Sequence, residues 1–334
     1  MKFIKTADWH FSNYSNDPII KVSGLSERLH YLVITIMNMI NYAREKKIKK
    51  IIVGGDTLHN KSVIYSFALS ILIDLFKNNS DIEFIILDGN HDMSSRTIEG
   101  VSGLKALDSI SNVQTIHECI VIENIAFVPW KYVTKEKIKE YNTDYLISHF
   151  GVNEAVLNSG ISIVSDVALK DLSHFKTVLL GHYHKPQFLK NLYYVGSPIH
   201  LDRGEKNEDK RFLVVDTDKH TIESVLTEGY KKYYELKIDA ENKMSVLSEI
   251  AKLKELGHEV RLIKTSDVDT SDIEKDFDVV DKQEKDITNR GITANMTMID
   301  KLNRYMEIKE IPPEKLESYR SVALEIIDSC SSKG

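Results

Sequence analysis

Short apolar runs alternate with segments of helical periodicity along the first 220 residues of this 334-residue chain. The segment 26–46 carries Leu29, Val33 and Ile36 on one stripe, which is the spacing of an amphipathic helix. A second predicted helix, 63–77, is apolar on most sides, so we expect it to be buried or to form a subunit contact. This alternation predicts an α/β layered domain. The predicted strands are 2–7, 48–53, 82–87, 144–149 and 177–180, with shorter ones in 113–129 around a turn at Glu123-Asn124.

The pattern changes after Asp216. A strand, a helix and a strand are predicted at 233–238, 242–256 and 259–264, and one more strand at 277–280. Two final helices, 296–308 and 314–328, are separated by Pro312-Pro313. We therefore divide the chain into a main domain (1–227), a small α+β domain with an acidic linker (228–290) and a C-terminal helical hairpin (291–334).

Composition places the chain among ordinary water-soluble proteins, with 42% hydrophobic and 28% charged residues. No apolar run has the length of a membrane helix, and the first residues form a strand rather than a signal peptide. The two cysteines form no metal or redox motif. We therefore expect a cytoplasmic protein without a membrane partner. The net charge of −6 resides mainly in 266–290, which holds nine acidic and four basic residues, so global charge neither supports nor excludes a nucleic-acid substrate.

Polar side chains follow five of the predicted strands, directly where each apolar run ends. Because the carboxyl ends of neighbouring strands meet at one edge of a sheet, these side chains can gather there. Single fragments of this kind are common in turns and caps, but five in succession are strong evidence for a site. The motifs are Asp8-Trp9-His10, Gly54-Gly55-Asp56, Gly89-Asn90-His91-Asp92, Ser148-His149 and Gly181-His182-Tyr183-His184.

These residue types suit a centre of two divalent metals that hydrolyses phosphate esters. Such a pair acidifies a water molecule and neutralises charge on the phosphoryl oxygens. Asp56 is suited to bridge the metals, because Gly54 and Gly55 allow a tight turn before it. Asp8 and His10 lie two residues apart, so an extended backbone would point both to the same side. Carboxylate, amide and imidazole ligands without cysteine favour manganese, iron or zinc over magnesium or calcium.

Two residues of the third motif are candidates for catalysis rather than metal binding. His91 adjoins the expected ligand Asn90 and could protonate the leaving oxygen. Asp92 is expected to orient the His91 imidazole.

The five motifs resemble those of the metallophosphoesterase superfamily, also called calcineurin-like phosphoesterases. Downstream segments narrow the resemblance to SbcD-type DNA repair and recombination nuclease subunits, and the short length is typical of phage-encoded members. The resemblance covers residues 1–220 at the level of motifs and the remainder only in layout. The segments that carry it are Gly55–His59, Gly181–Gln187, Tyr194–Pro198, Leu201–Glu205 and Lys210–Asp216.

The resemblance implies a sandwich of two sheets flanked by helices, a small capping domain over 228–290 and two bound Mn²⁺ ions, with Mg²⁺, Fe²⁺ or Zn²⁺ as substitutes. It also implies 3′–5′ exonuclease activity on duplex DNA and endonuclease activity on single strands. Carried over by position, one metal would be bound by Asp8, His10, Asp56 and His184, and the other by Asp56, Asn90, His149 and His182, with His91 as the catalytic histidine.

Members of this group work with an SbcC-type ATPase that contains long coiled coils. This chain has no phosphate-binding loop with a Gly-x-x-x-x-Gly-Lys-Ser/Thr pattern, so the ATPase would act in trans. The resemblance places its binding segment in the C-terminal helical hairpin. Alternatively, that hairpin packs on its own domain or on a second copy of the chain. We expect a homodimer.

Several residues near the motifs are candidate substrate contacts. Lys185, Arg203 and Arg211 flank the motifs and could bind DNA phosphates. His59 lies three residues after Asp56 and is equally suited to a substrate contact or a structural role.

Two other functions remain open at this stage. One is a phosphoesterase that acts on a small molecule or a phosphoprotein, which would need neither a capping domain nor terminal helices. The other is a scaffold that retains the fold without catalysis, which the complete ligand set disfavours.

Overall fold

The computed structural model describes residues 1–61, 63–97, 99–162, 164–265, 268–270, 277–281, 298–309, 311–312, 316 and 320. The chain forms two compact units. The first comprises Met1–Glu235 with Leu253–Glu259, and the second comprises Leu236–Lys252 with Val260–Gly334. The three-domain division stays a prediction.

The strands of the first unit are mostly short, apolar and buried. Their bounds are β1 Lys2–Thr6, β2 Ile19–Ile20, β3 Leu25–Ser26, β4 Lys50–Val53, β5 Glu83–Leu87, β6 Val113–Ile116, β7 Ile120–Ile122, β8 Ile125–Val128, β9 Tyr145–His149, β10 Thr177–Gly181, β11 Gln187–Leu189, β12 Leu192–Tyr194, β13 Arg211–Asp216 and β14 Thr221–Leu226. The helices of this unit are α1 Glu27–Glu45, α2 Ser66–Lys77 and α3 Lys135–Lys139.

Two six-stranded sheets form the frame of this unit. The first has the order β14-β13-β1-β4-β5-β6, with β1, β4, β5 and β6 parallel. The second has the order β11-β12-β10-β9-β8-β7, with β12, β10, β9 and β8 parallel. Strands β13 and β14 extend the first sheet in antiparallel pairing, and β11 and β7 do the same at the edges of the second.

The sheets pack face to face, and helices cover their outer faces. Phe3 and Ile85 of the first sheet share one buried cluster with Phe127 and Leu179 of the second. Alternate residues of the same strands point outward. On the first sheet these join a cluster with α1 and α2, and on the second they join a cluster with α3. The fold is therefore a sandwich of two sheets flanked by helices, as predicted.

The predicted elements of this unit are largely confirmed. The five long strands and α1 lie within two residues of their expected bounds. Glu123 and Asn124 both have positive φ and form the predicted turn between β7 and β8. Helix α2 begins at Ser66 rather than 63, and Phe67 near its start is half exposed.

Within the described residues, the second unit contains a small α+β assembly, as predicted. Its sheet has the order β15 (Tyr233–Ile238), β16 (Glu259–Lys264) and β17 (Asp278–Asp281), and α4 (Lys243–Glu255) buries Val246 and Ile250. Helix α5 (Met298–Ile308) corresponds to the first predicted C-terminal helix. The predicted helix at 314–328 lies almost wholly outside the described residues, so the hairpin stays a prediction. In the described part of the chain, no helix combines the length and apolar character needed to cross a membrane.

Candidate metal centre

The five polar motifs lie at the carboxyl ends of β1, β4, β5, β9 and β10, which converge on one edge of the sandwich. Hydrogen bonds within the first sheet and between the two sheets hold this edge together. The Asp8 amide donates to the Gly55 carbonyl at 3.0 Å, and the Asp8 carboxylate accepts from the His182 amide at 3.0 Å. Register brings Gly181 of β10 beside His149 of β9. The fold therefore gathers all seven predicted metal ligands.

The backbone at this edge is left-handed rather than extended. Asp8 has φ 54°, His10 φ 52°, Asp56 φ 52° and His182 φ 97°. Residues other than glycine rarely adopt this backbone region, because Cβ then crowds the carbonyl oxygen. The expectation that Asp8 and His10 converge along an extended strand was therefore wrong. The chain turns sharply at these residues, which costs free energy and aims their side chains inward.

Two glycines permit this convergence. Gly55 has φ +96°, and a Cβ there would lie 2.3 Å from His149 Nδ1. A Cβ on Gly89 would lie 2.2 Å from the Asp56 backbone nitrogen. Any side chain at these positions would therefore displace the ligands, which explains the glycines of the second and third motifs.

One group of ligands comprises Asp8, His10 and His184, whose donor atoms lie within 4.8 Å of one another. His10 Nε2 lies 3.1 Å from His184 Nε2. Two nitrogens that share a metal at about 2.1 Å each would be about 3.0–3.4 Å apart. The spacing therefore fits two imidazoles that coordinate one ion.

The second group comprises Asp56, Asn90, His149 and His182. Asn90 Oδ1 lies 3.1 Å from His149 Nε2 and 2.9 Å from His182 Nδ1. His149 Nε2 also lies 3.1 Å from Asp56 Oδ2. These donors again have the mutual spacing of ligands around one ion.

Asp56 lies between the two groups. Its Oδ1 accepts a hydrogen bond of 2.7 Å from the His91 amide, which leaves Oδ2 facing the site. Oδ2 is 3.1 Å from His149 Nε2 and 3.8 Å from His10 Nε2, one nitrogen from each group. Asp56 Oδ2 is therefore the oxygen that would be shared if each group held a cation.

Hydrogen bonds on the far side of two rings support metal binding. His149 Nδ1 lies 2.9 Å from the Gly54 carbonyl, and His184 Nδ1 lies 2.8 Å from Glu205 Oε1. Since both partners are acceptors, each Nδ1 carries a proton, which leaves each Nε2 as the nitrogen that faces the site. Metal-binding histidines usually have such a partner.

Burial and charge determine the protonation of these groups. Burial lowers the pKa of His182 to about 3 and places the pKa of His10 well below its usual value, so both rings are neutral ligands near pH 7. Burial also opposes charge on His149, but the Asp56 carboxylate outweighs it and raises the His149 pKa to about 9. The pocket around Asp56 therefore favours positive charge, and a divalent cation would replace that proton.

Taken together, the seven residues fit a pair of divalent metals. The donors are oxygens and imidazole nitrogens without sulfur, buried and oriented toward common points. The distances place Asp8 and Asp56 near histidines of both groups, since Asp8 also lies within 4.8 Å of Asp56 and His149.

His91 and His59 lie at the border of the first group. The His91 ring packs edge-on against His10, with ring centroids 4.8 Å apart, and the His59 ring lies 5.3 Å from His10. His91 Nδ1 lies 2.5 Å from the His59 carbonyl oxygen. Because a carbonyl can only accept, Nδ1 keeps its proton, and Nε2 is the nitrogen available for proton transfer.

Asp92 does not orient the His91 ring as we expected. Its carboxylate accepts hydrogen bonds from the backbone amides of Thr57, Leu58 and Gly89, at 3.3, 2.8 and 2.9 Å. Burial, with a contribution from the Asp56 charge, raises the pKa of Asp92 to about 8, although the amides oppose that shift. Asp92 therefore joins the turn that carries Asp56 to the turn that carries Asn90.

A buried ion pair that we did not predict supports His184. Glu205 is almost wholly buried, and besides His184 it binds Ser197 Oγ, the Leu201 amide and Lys210 Nζ, the last at 2.7 Å. Lys210 is fully buried and also donates to the His184 carbonyl at 2.9 Å. Both residues lie in segments that carry the family resemblance, Leu201–Glu205 and Lys210–Asp216. We did not predict the pair, because charged residues usually face solvent.

The three predicted phosphate contacts are placed differently from one another. Arg203 forms an ion pair with Glu259, and Arg211 donates to Ser224 Oγ of the neighbouring strand β14. Both guanidinium groups thus have partners away from the metal ligands. Lys185 follows His184 directly, and its ammonium group has no acidic partner among the described residues. Lys185 is therefore the strongest of the three for a substrate contact.

Comparison with known proteins gives one curated relative. The chain is 22% identical over 237 residues to exonuclease subunit 1 of Enterobacteria phage T4, an alignment that covers 67% of each protein. This agrees with the resemblance to SbcD-type nuclease subunits. That resemblance is confirmed. No family model matches the chain.

Solved structures overlap this chain only loosely. The nuclease MPE of Pseudomonas putida aligns with a TM-score of 0.33 and 13% identity over 67% of this chain and 87% of that one. A novel archaeal phosphodiesterase aligns with a TM-score of 0.34 and 13% identity, over 68% of this chain and 99% of that one. A dimetal phosphatase from Danio rerio aligns with a TM-score of 0.38 and 11% identity, over 68% of this chain and 99% of that one.

The contact from Glu205 to His184 predicts a positioning role. Glu205→Gln keeps the shape but removes the charge that orients His184, so the affinity for Mn²⁺ should fall roughly 10- to 100-fold. Titration calorimetry with Mn²⁺ measures this, and thermal unfolding shows whether the variant is folded. Glu208→Gln is the matched control, because Glu208 also pairs with Lys210 but makes no contact with His184. Equal Mn²⁺ affinity in Glu205→Gln and the unaltered protein would contradict the role.

Proposed function

We propose that this protein is a metal-dependent DNA nuclease that hydrolyses phosphodiester bonds. The observation that carries the proposal is the position of Asp56 Oδ2 between two groups of metal ligands. The similarity to a phage exonuclease subunit supports DNA as the substrate. The fold, the ligand set and the relative thus point to one class of reaction.

The residues have distinct roles in this proposal. Two divalent cations, held by the seven ligands with Asp56 shared, would supply an activated water and charge neutralisation at the phosphate. His91 protonates the departing sugar oxygen through Nε2, while its Nδ1 stays bonded to the His59 carbonyl. Asp92 holds the turns in place, and Glu205 fixes the His184 ring. We assign Lys185 to a contact with a backbone phosphate.

We further propose manganese as the native metal, with 3′–5′ exonuclease activity on duplex DNA and endonuclease activity on single strands. Ligands of mixed oxygen and nitrogen type without thiolates support manganese, iron or zinc. The cleavage pattern and a role in DNA repair or recombination are supported by the resemblance to SbcD-type subunits.

We infer two protein partners. The first is an SbcC-type coiled-coil ATPase bound through the C-terminal helices, of which α5 carries the exposed Tyr305 and the buried Met306. The second is another copy of this chain. Exposed apolar side chains before and within the start of α2 support a dimer contact, since burying such groups away from water lowers the free energy. These are Val63, Ile64, Tyr65 and Phe67.

The nuclease proposal predicts that the purified chain shortens end-labelled duplex DNA in the presence of Mn²⁺ and not in EDTA. His184→Ala should abolish cleavage, because it removes a ligand, and should bind less metal by mass spectrometry. His174→Ala is the control, since His174 is exposed and lies outside the centre. Intact DNA together with rapid hydrolysis of bis-p-nitrophenyl phosphate would contradict a nuclease and favour a small substrate.

The role of His91 predicts a dependence on the leaving group. His91→Ala should retain both metals but cut DNA roughly 10²- to 10⁴-fold more slowly, the usual effect of losing a general acid. The same change should affect bis-p-nitrophenyl phosphate less, because nitrophenolate departs without a proton. His174→Ala, a change of an exposed histidine outside the centre, serves as the control. Normal DNA cleavage by His91→Ala, or equal losses on both substrates, would contradict the general-acid role.

A further inference from the structure

A cavity of about 200 Å³ adjoins the candidate metal centre and has no part in the reaction described above. His182, a metal ligand, forms one side of it, and Tyr183 lies beside His182. Its walls combine aromatic and aliphatic side chains with a few polar groups. They include Trp130, Val133, Phe150, Val167, Arg96 and Asp166.

Trp130 is tied to the loop that carries Asn90. It follows β8, which pairs in parallel with β9, so it lies at the same sheet edge as His149. Its backbone amide donates to the Asp88 carbonyl at 3.1 Å, two residues before Asn90. The indole is partly exposed, whereas Trp9, the other tryptophan, is fully buried. The chain thus presents one accessible indole directly beside its metal ligands.

Two cations lie against this indole. The Arg96 guanidinium is 5.4 Å and the Lys61 ammonium 5.7 Å from the Trp130 ring centroid. Arg96 also donates to the Val133 carbonyl at 3.3 Å. Within the described residues, neither Arg96 nor Lys61 has an acidic partner. Their charge is therefore available to an anionic ligand at the mouth of the cavity.

An aromatic wall, exposed cations and a carboxylate form a combination that suits a nucleotide. A base can stack on an aromatic side chain whatever its sequence, and its phosphates are attracted to arginine and lysine. Asp166 is exposed on the cavity wall and can accept hydrogen bonds from the N–H groups of a base.

We propose that this cavity binds an unpaired nucleobase next to the scissile phosphate, with Trp130 as a stacking surface and Arg96 and Lys61 bound to the adjacent backbone phosphate. This assignment rests on the proposed nuclease function and names the feature of DNA that the site selects. A base held in a duplex must leave its stack to enter such a cavity, which costs free energy. The site therefore favours single-stranded or frayed DNA over paired DNA.

Substrates that lack one base test the assignment. The unaltered protein should cleave a single-stranded oligonucleotide about tenfold or more faster than the same strand with an abasic residue beside the cleavage point. In Trp130→Ala this ratio should fall toward one, and Trp130→Phe should restore most of it. Arg96→Ala should slow both substrates alike, since it removes a phosphate contact. Phe188→Ala, an exposed aromatic residue on β11 outside the cavity, should leave the ratio unchanged.

A binding measurement in EDTA separates this proposal from the nuclease proposal. Because Trp9 is buried, a short oligothymidylate that stacks on Trp130 should quench the fluorescence of the unaltered protein but not of Trp130→Phe. An abasic oligomer of the same length should quench much less.

The outcomes are distinct. A Trp130→Ala enzyme that cleaves DNA with an unchanged abasic ratio would overturn the assignment. If the protein cleaves no DNA, the nuclease proposal fails, and the fluorescence decides the cavity alone: quenching that depends on the base supports it. Equal quenching by normal and abasic oligomers, or none, overturns it.

Discussion

The rest of the site depends on the contacts of the Asp56 carboxylate. One oxygen is fixed by the His91 amide at 2.7 Å, and the other faces nitrogens from both ligand groups. This division would allow the carboxylate to be shared by two cations, and the His91 amide hydrogen bond places His91 beside it. The glycines, the buried Asp92 and the convergence of the two sheets all serve to hold this one group.

Holding Asp56 in this position requires backbone conformations and buried charges that cost free energy. Four ligands have left-handed backbone, and the carboxylates of Asp8 and Asp56 are buried. Buried charge is stable only when it is paired or hydrogen-bonded. Here backbone amides and imidazoles provide those partners. The same carboxylates favour positive charge in the pocket. The binding of divalent cations would therefore offset the free-energy cost of burying them.

The convergence of these seven side chains was predictable from sequence, because strands that end at one sheet edge bring their following residues together. The positions of Asn90, His149 and His182 needed only that rule and the apolar runs before them. The left-handed backbone at Asp8 and His10 was not predictable, because spacing alone does not distinguish an extended strand from a sharp turn. Glu205, Lys210 and Trp130 were missed for another reason: their burial and contacts depend on tertiary packing between segments distant in sequence.

Anomalous diffraction from crystals grown with Mn²⁺ tests the central claim most directly, because it locates each metal independently of activity. The account predicts two manganese peaks about 3.5–4 Å apart, the usual separation in such centres. Asp56 should lie between them, with Asp8, His10 and His184 at one peak and Asn90, His149 and His182 at the other. A single peak, or two peaks that Asp56 does not bridge, would contradict the account.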